Sequence, residues 1–283
     1  MIAITGANGQ LGRLVITSLL EKTDAANIIA LVRNPDSAAE LKTLGIEVRQ
    51  ADYNKPETLI NAFEGVDKLL LISGSEVGSR VQQHQAVIDA VKDKGLTLFA
   101  YTSILKADAS PMILAQEHKV TEQAIKDAGL PAVILRNGWY SENYTQSISG
   151  VLAGGVVVGA AEQGKLHTAA RKDYAEAAAI VLISEQSHVG NVYELAGDEG
   201  FTLGQYAAEI SRQSGKHIQF QSMAGADFSG LLVQIGLPEG FAGVLADAEM
   251  QAANGWLADD SKTLSELIGR DTTPLAESIA AVL

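Results

Sequence analysis

Thr5-Gly6-Ala7-Asn8-Gly9-Gln10-Leu11-Gly12 is the stretch that decides the fold, because it joins the first apolar run to an amphipathic segment. Its glycines follow the spacing Gly-x-x-Gly-x-x-Gly. Gly6 permits a tight strand-to-helix turn, Gly9 lets backbone N–H groups approach a pyrophosphate, and Gly12 lets the helix pack close to the sheet. The helix N-terminus adds unpaired donors and a partial positive charge. The turn therefore predicts a dinucleotide site from Gly6 to Gly12; a purely structural turn is the alternative.

Outward from this turn, short apolar runs alternate with amphipathic segments. The predicted strands cover residues 2–5, 28–32, 46–50, 68–72, 97–101 and 132–135, and the predicted helices residues 10–20, 56–63, 81–92 and 113–128. Near-continuous apolar runs are typical of strands covered on both faces. Strand–helix alternation favours a parallel sheet with right-handed crossovers. We therefore expect an α/β fold with a Rossmann-type doubly wound parallel sheet.

The regular alternation of predicted strands and helices ends after about Asn137. Residues 150–161 are rich in Gly and Val, and a helix over 173–184, a strand over 191–195 and a helix over 202–214 follow in a mainly helical remainder. We expect a dinucleotide-binding Rossmann domain over residues 1–150 and a smaller, mainly helical, substrate-binding region over 151–283. This region is predicted to cover a cleft at the carboxyl edge of the sheet.

The composition restricts the classes of function. The chain has 283 residues, a formal net charge of −13, no cysteine and five histidines without His-x-x-x-His spacing. An acidic surface repels phosphate backbones, so no nucleic-acid partner is expected. Disulfides, Fe–S clusters and zinc thiolates are excluded, and no metal site is predicted. No leader pattern precedes the first strand, and no apolar run approaches the about 18 residues that span a bilayer, so we predict a cytoplasmic protein without a membrane partner.

The end of the second predicted strand carries an arginine. In folds specific for NAD, an Asp or Glu about 20 residues past the turn binds the ribose 2′-hydroxyl. Here the strand ends Val32-Arg33-Asn34, and Arg33 stands where that carboxylate would be. A guanidinium can bind a 2′-phosphate through two parallel hydrogen bonds and stack on adenine, so Arg33 favours NADPH. The alternative is a solvated loop arginine.

Polar or small residues follow three further strands. Asp52 comes after the third strand and is a candidate contact for the adenine amine, although Asp there is also a common turn former. Ser73-Gly74-Ser75 follow the fourth strand and can border the middle of the cofactor. Thr102-Ser103 are predicted to follow the fifth strand similarly. For both segments helix capping is the alternative.

A catalytic pair of the short-chain dehydrogenases is absent. The turn spacing suggests that superfamily, whose catalytic members use Tyr-x-x-x-Lys as acid and orienting base. None of the seven tyrosines has a lysine four residues later. Lys119 is placed like the family lysine, but the residue four before it is Ala115. The usual alcohol–ketone proton relay is therefore not expected.

Several segments together carry a family resemblance. They cover residues 4–12, 31–35, 49–53, 68–73, 100–103, 135–144, 192–198 and 260–264. The chain resembles the NmrA-like group of atypical short-chain dehydrogenases and, within it, the type-2 NADPH:quinone oxidoreductases. The resemblance implies NADPH as cofactor, a quinone as acceptor and no flavin. The resemblance implies cofactor contacts at Gly6–Leu11, Arg33, Ser73, Gly74, Ser75 and the loop from Asn137, which includes Gly138 and Tyr140. Asp52 and Arg171 are further candidates for cofactor binding.

The loop Asn137-Gly138-Trp139-Tyr140-Ser141-Glu142-Asn143-Tyr144 follows the sixth predicted strand. Its aromatic faces can sandwich a flat quinone and its amides can bond quinone oxygens. The substrate-pocket candidates are Asn137, Trp139, Tyr140, Asn143, Tyr144 and His167. The alternatives are that Trp139 and Tyr140 are core anchors, that His167 is structural, and that Asp173 only caps a helix.

The missing tyrosine fits hydride transfer to a quinone, because the hydroquinone anion is weakly basic and water can protonate it. The leading hypothesis is thus an NADPH-dependent reductase of quinones or similar flat electrophiles, without flavin or metal. The alternatives are an NADP(H)-responsive regulatory protein with little catalysis, which would have a protein partner, and a reductase of triphenylmethane dyes. The physiological acceptor and the oligomeric state stay open.

Overall fold

A computed structural model describes residues 1–283, and a seven-stranded sheet forms its centre. Its strands, in chain order, are β1 Ile2–Ile4, β2 Ile28–Val32, β3 Glu47–Gln50, β4 Lys68–Leu71, β5 Leu98–Ile104, β6 Ala132–Asn137 and β8 Val192–Leu195. Across the sheet they have the order β3-β2-β1-β4-β5-β6-β8. The pairings among β1, β2, β3, β4 and β5 are parallel. The predicted fold class, a Rossmann-type doubly wound sheet with a mainly helical C-terminal part, is confirmed.

Helices connect the strands, and four more follow the last strand of the chain. They are α1 Gln10–Leu20, α2 Ala39–Thr43, α3 Pro56–Ala62, α4 Arg80–Val91, α5 Ile113–Asp127, α6 Glu142–Thr145, α7 Ile148–Gly154, α8 Arg171–Ile183, α9 Leu203–Ser214, α10 Gly225–Gln234, α11 Glu239–Ala253, α12 Thr263–Ile268 and α13 Leu275–Ala280. None of them is both long and apolar enough to cross a lipid bilayer.

The chain reverses its direction of travel across the sheet at β1. From β1 it moves to β2 and β3 on one side, and β4 then pairs with β1 on the other. Ligands in open α/β sheets bind outside the carboxyl ends of the strands at such a switch point. The helix that leaves β1 presents Leu11, Val15 and Leu19 to the interior at helical spacing, which fixes its position over the sheet.

Contacts between residues group the chain into two compact units. Unit one comprises residues 1–104, 117–136 and 172–193, and unit two comprises residues 105–116, 137–171 and 194–283. The core of unit one includes fully buried Phe63, Phe99 and Tyr101. Both units are discontinuous along the chain, and a domain division at residue 150 stays a prediction.

Unit two contains a small second sheet that the sequence analysis did not predict. It is two-stranded and parallel, with β7 Val156–Gly159 paired to β9 Gln219–Ser222. The Gly- and Val-rich segment therefore contains the end of α7 as well as β7. Thr202 forms a capping box with Gln205 at the start of α9, because each side chain accepts from the other residue's backbone N–H.

Two expectations and one alternative interpretation of local structure were wrong. The strand β3 is not covered on both faces: it is an edge strand, and Glu47 and Gln50 are exposed. The strand β5 continues to Ile104, so Thr102 and Ser103 lie inside it and are buried, rather than following it as helix caps. Asp173 is a buried residue within the first turn of α8 and not its N-cap.

Candidate functional site

The glycine turn has the geometry that its sequence predicts. Gly6 adopts a left-handed backbone conformation with φ of +57°, which glycine tolerates without strain. A Cβ on Gly12 would overlap the Gly6 carbonyl oxygen and lie 2.8 Å from the Ala7 Cα. The turn is therefore too tight at Gly12 for any side chain.

The start of α1 provides donors for an anion. The Gly9 N–H donates to the Gly6 carbonyl at 2.8 Å, and the first helical bond runs from the Arg13 N–H to the Gly9 carbonyl at 3.0 Å. The intervening N–H groups of Gln10, Leu11 and Gly12 have no backbone acceptor. Three unpaired donors at a helix N-terminus suit a pyrophosphate.

A cleft of about 620 Å³ in unit one opens beside this turn. It brings together most of the residues predicted to bind a cofactor, namely Gly6, Asn8, Gly9, Gln10, Leu11, Gly12, Arg33, Asp52, Ser73, Gly74 and Ser75. Ala7 is buried and is not part of the lining. The other predicted contacts, Asn137, Gly138, Tyr140 and Arg171, belong to unit two.

The cleft also contains side chains that sequence reasoning missed. They are Asn34, Ser37, Tyr53, Asn54, Glu76 and Gln83. The Asn34 side chain accepts from the Asp36 N–H at 3.0 Å, and Asn8 donates to the Ser37 hydroxyl at 3.1 Å. Asn54 follows Asp52 closely and could have been found from that spacing. Glu76 and Gln83 carry no sequence signal, because only the fold brings the loop that contains Glu76 and the start of α4, which contains Gln83, to the cleft.

Arg33 lies at the cleft with 72% of its side chain exposed. Its guanidinium Nη1 is 3.3 Å from the Glu76 carboxylate Oε1. An exposed pair of this kind contributes little to stability, so the guanidinium can reorient towards a ligand. Asp52 closes a turn, since its Oδ1 accepts from the Asn54 N–H at 3.0 Å, and it lines the cleft as well.

Side chains of α4 and α5 hold the loop over residues 72–79, between β4 and α4. The Gly74 N–H donates to His84 Nε2 at 3.0 Å, and the Arg80 Nε–H donates to the Gly74 carbonyl. The Gly78 N–H donates to Glu117 Oε1 at 3.0 Å. This side of the cleft is therefore fixed at two points of its backbone.

Unit two holds the predicted substrate-pocket candidates. Asn137 is buried at the end of β6, and its side chain partly offsets the rise that burial gives to the pKa of Tyr140. The Arg171 guanidinium lies 4.7 Å from the centre of the Tyr140 ring, a cation–π geometry. Trp139 and Tyr140 are half-buried, and so is Asn143. None of these three is a fully buried core anchor.

Three candidates in unit two each bury a polar atom that has no hydrogen-bond partner: Asn137 Oδ1, the Tyr144 hydroxyl and His167 Nδ1. Leaving such an atom unsatisfied costs about 1–3 kcal/mol, and unsatisfied atoms often mark a functional group. Burial raises the pKa of Tyr144 well above its ordinary value, so its hydroxyl remains a donor at neutral pH. The His167 Nε2 lies 3.6 Å from the exposed Asp260 carboxylate.

Comparison with known proteins supports the cofactor assignment. The family described as NAD(P)H-binding matches residues 6–185. The chain belongs to this NAD(P)H-binding family. It is 55% identical over 280 residues to quinone oxidoreductase 2 of Escherichia coli K12, covering 99% of this chain and 98% of that protein.

Two crystal structures closely resemble this NAD(P)H-binding protein. An NADPH-dependent quinone oxidoreductase from Escherichia coli in complex with NADPH has a TM-score of 0.96 and 54% identity, over 99% of each chain. The triphenylmethane reductase of Citrobacter sp. in complex with NADP(H) has a TM-score of 0.96 and 38% identity, over all of both chains. The resemblance drawn from the sequence is confirmed.

Proposed function

We propose that the chain is an NADPH-dependent reductase that transfers hydride to quinones or similar flat electrophiles without flavin or metal. The observation that carries the proposal is a near full-length likeness, at 55% identity, to an enzyme named for quinone reduction. The lining of the cleft supports it, because a glycine cradle for pyrophosphate and Arg33 occur together there. A cytoplasmic location is part of the proposal, since the reaction needs a reduced NADPH pool.

The residues of the chain fit the cofactor. Gly12 leaves the cradle open, the N–H groups of Gln10 and Leu11 would hold the pyrophosphate, and Arg33 would hold the 2′-phosphate. When bound, NADPH supplies a hydride to the acceptor.

The proposed role of unit two is to contact the acceptor. Tyr144 can donate its unpartnered hydroxyl to an acceptor oxygen, and the half-buried face of Trp139 can stack on a flat ring. Positioning of this kind raises the rate without any proton relay from the protein. We propose that water protonates the reduced quinone.

Turnover with simple quinones tests the proposal. We expect the purified protein to show no flavin absorbance and to oxidise NADPH when benzoquinone or menadione is added. Absorbance at the NADPH band, followed with and without the quinone, measures this. A flavin spectrum, or no turnover with any of several quinones, would contradict the proposal, and the second result would favour an NADP(H)-responsive regulatory protein.

A second candidate activity is reduction of triphenylmethane dyes. The observation that favours it is 38% identity over the whole chain to the Citrobacter triphenylmethane reductase. The net charge of −13 would also attract cationic dyes. Comparing kcat/KM for menadione with that for a cationic triphenylmethane dye, at the same NADPH concentration, ranks the two.

Lys119→Ala is expected to lower quinone turnover by less than about tenfold, below the roughly 10²- to 10⁴-fold range of a general acid–base group. The reason is that Lys119 is exposed on α5 and position 115 is a buried alanine, so the lysine has no tyrosine whose pKa it could lower. Steady-state kcat at saturating NADPH and quinone measures the effect.

Lys126→Ala is the matched control, because Lys126 is an exposed lysine on the same helix. A loss of about three orders of magnitude in Lys119→Ala alone, with an unchanged circular dichroism spectrum, would show that the lysine takes part in a proton relay.

A further inference from the structure

Glu76 forms an ion pair with Arg33, the residue that the proposed function assigns to the 2′-phosphate of the cofactor. Its Oε1 lies 3.3 Å from Arg33 Nη1. Its Oε2 accepts from Gln83 Nε2 at 2.8 Å and faces Asn54 Nδ2 at 3.4 Å. Gln83 and Asn54 thus hold Oε2, whereas Oε1 faces Arg33.

The two partners differ in how firmly they are held. Gln83 is 4% exposed and also donates to the Asn54 side chain at 3.1 Å, so the amide that anchors Glu76 is itself fixed. The loop backbone on either side of Glu76 is bonded to His84 and Glu117. The Arg33 guanidinium, by contrast, is mostly exposed, and Glu76 is the only acid with which it forms an ion pair. When a ligand arrives, Arg33 is the partner that can move.

A 2′-phosphate would face this fixed carboxylate. A phosphate carries a charge of about −1.5 to −2 at neutral pH and binds a guanidinium through two parallel hydrogen bonds. Arg33 must either leave Glu76 or bridge the two anions, and in both cases the carboxylate remains within the same cleft. At separations of several ångströms such repulsion is appreciable even near a surface.

We propose that Glu76 is a specificity-determining residue that competes with the 2′-phosphate for Arg33. It weakens the binding of 2′-phosphorylated nucleotides, and thereby limits how tightly the oxidised cofactor is retained after turnover. This inference rests on the proposed function, which assigns the 2′-phosphate to Arg33. The removal of the Glu76 charge is therefore expected to strengthen phosphate binding rather than weaken it.

Glu76→Gln tests the proposal, because glutamine retains an oxygen that can accept from Gln83 and removes only the charge. Adenosine 2′,5′-bisphosphate and 5′-AMP serve as probes, with affinities from calorimetry on the full chain. We expect the bisphosphate Kd to fall about three- to tenfold at low salt, with less gain at high salt. The Kd of 5′-AMP is expected to change less than about twofold, since it lacks the 2′-phosphate.

Glu185→Gln is the matched control, because Glu185 is exposed, lies in the same unit and does not line the cleft. It removes the same formal charge and is expected to leave both affinities unchanged.

An unchanged or higher bisphosphate Kd in Glu76→Gln would overturn the proposal, and an equal gain in affinity in Glu185→Gln would replace it with an effect of net charge. Neither measurement needs turnover, so absence of quinone reduction would count against the proposed function alone. If Glu76→Gln binds both probes equally, Arg33 does not bind the phosphate and the competition is refuted.

Discussion

Gly12→Ala is expected to weaken NADPH binding roughly a hundredfold or more. The new Cβ would overlap the Gly6 carbonyl oxygen and press on the Ala7 Cα, both of which are backbone and cannot rotate away. The start of α1 must then move away from β1, and the unpaired N–H groups of Gln10 and Leu11 move with it. Displacement of binding groups by about 1 Å can cost on the order of 10²-fold. Titration of NADPH fluorescence measures the loss.

Gly230→Ala is the control, because Gly230 lies within α10 and a Cβ there meets nothing within 4 Å. Alanine is the better helix former, so the control is expected to be at least as stable as the wild type. Circular dichroism at 25 °C establishes that Gly12→Ala is folded. NADPH binding by folded Gly12→Ala within about tenfold of the wild type would mean that the turn does not bind the pyrophosphate.

Arg33→Ala is expected to weaken NADPH binding by about 2 kcal/mol, or about thirtyfold, because a charge-assisted pair with the 2′-phosphate is lost. NADH lacks this phosphate, so its affinity is expected to change by less than about twofold. Fluorescence titration with both cofactors, before and after the substitution, measures the difference in selectivity.

Arg212→Ala is the matched control, since this exposed arginine pairs with Glu209 on α9 in unit two and lies outside the cleft. It removes one positive charge and is expected to leave both affinities as they were. Equal affinities of the wild type for NADPH and NADH would show that the arginine at the end of β2 does not select the cofactor.

The sheet could be predicted because its signal is local. Each central strand is an apolar run of the right length, and the glycine turn fixes the first crossover. The exposure of β3 could not be predicted, since Glu47 is exposed only because the strand lies at the edge of the sheet. The strand β9 carries Gln219 and Gln221 and lacks an apolar run, so only its pairing with β7 reveals it.

The candidate site likewise has residues that the sequence predicts and residues that it does not. Positions at strand ends, such as Arg33 and Ser73, follow from the register of the predicted strands, because all carboxyl ends of a parallel sheet meet at one edge. Glu76 approaches Arg33 through a loop that is held by Gln83 on α4 and by Glu117 on α5. No spacing in the sequence encodes those contacts.

The bond from the Gly74 N–H to His84 Nε2 also fixes the tautomer of the imidazole. Because Nε2 accepts, the proton resides on Nδ1, 3.0 Å from the Thr121 hydroxyl. Burial, and less so the charge of Arg80, lowers the pKa of His84 from 6.5 to about 4. The unfolded chain therefore binds this proton first, so the stability that the neutral ring contributes is complete above pH 6.5 and is lost as the pH falls towards about 4. Protonation of His84 in acid thus lowers the stability of the fold and also removes the acceptor that holds the loop containing Glu76.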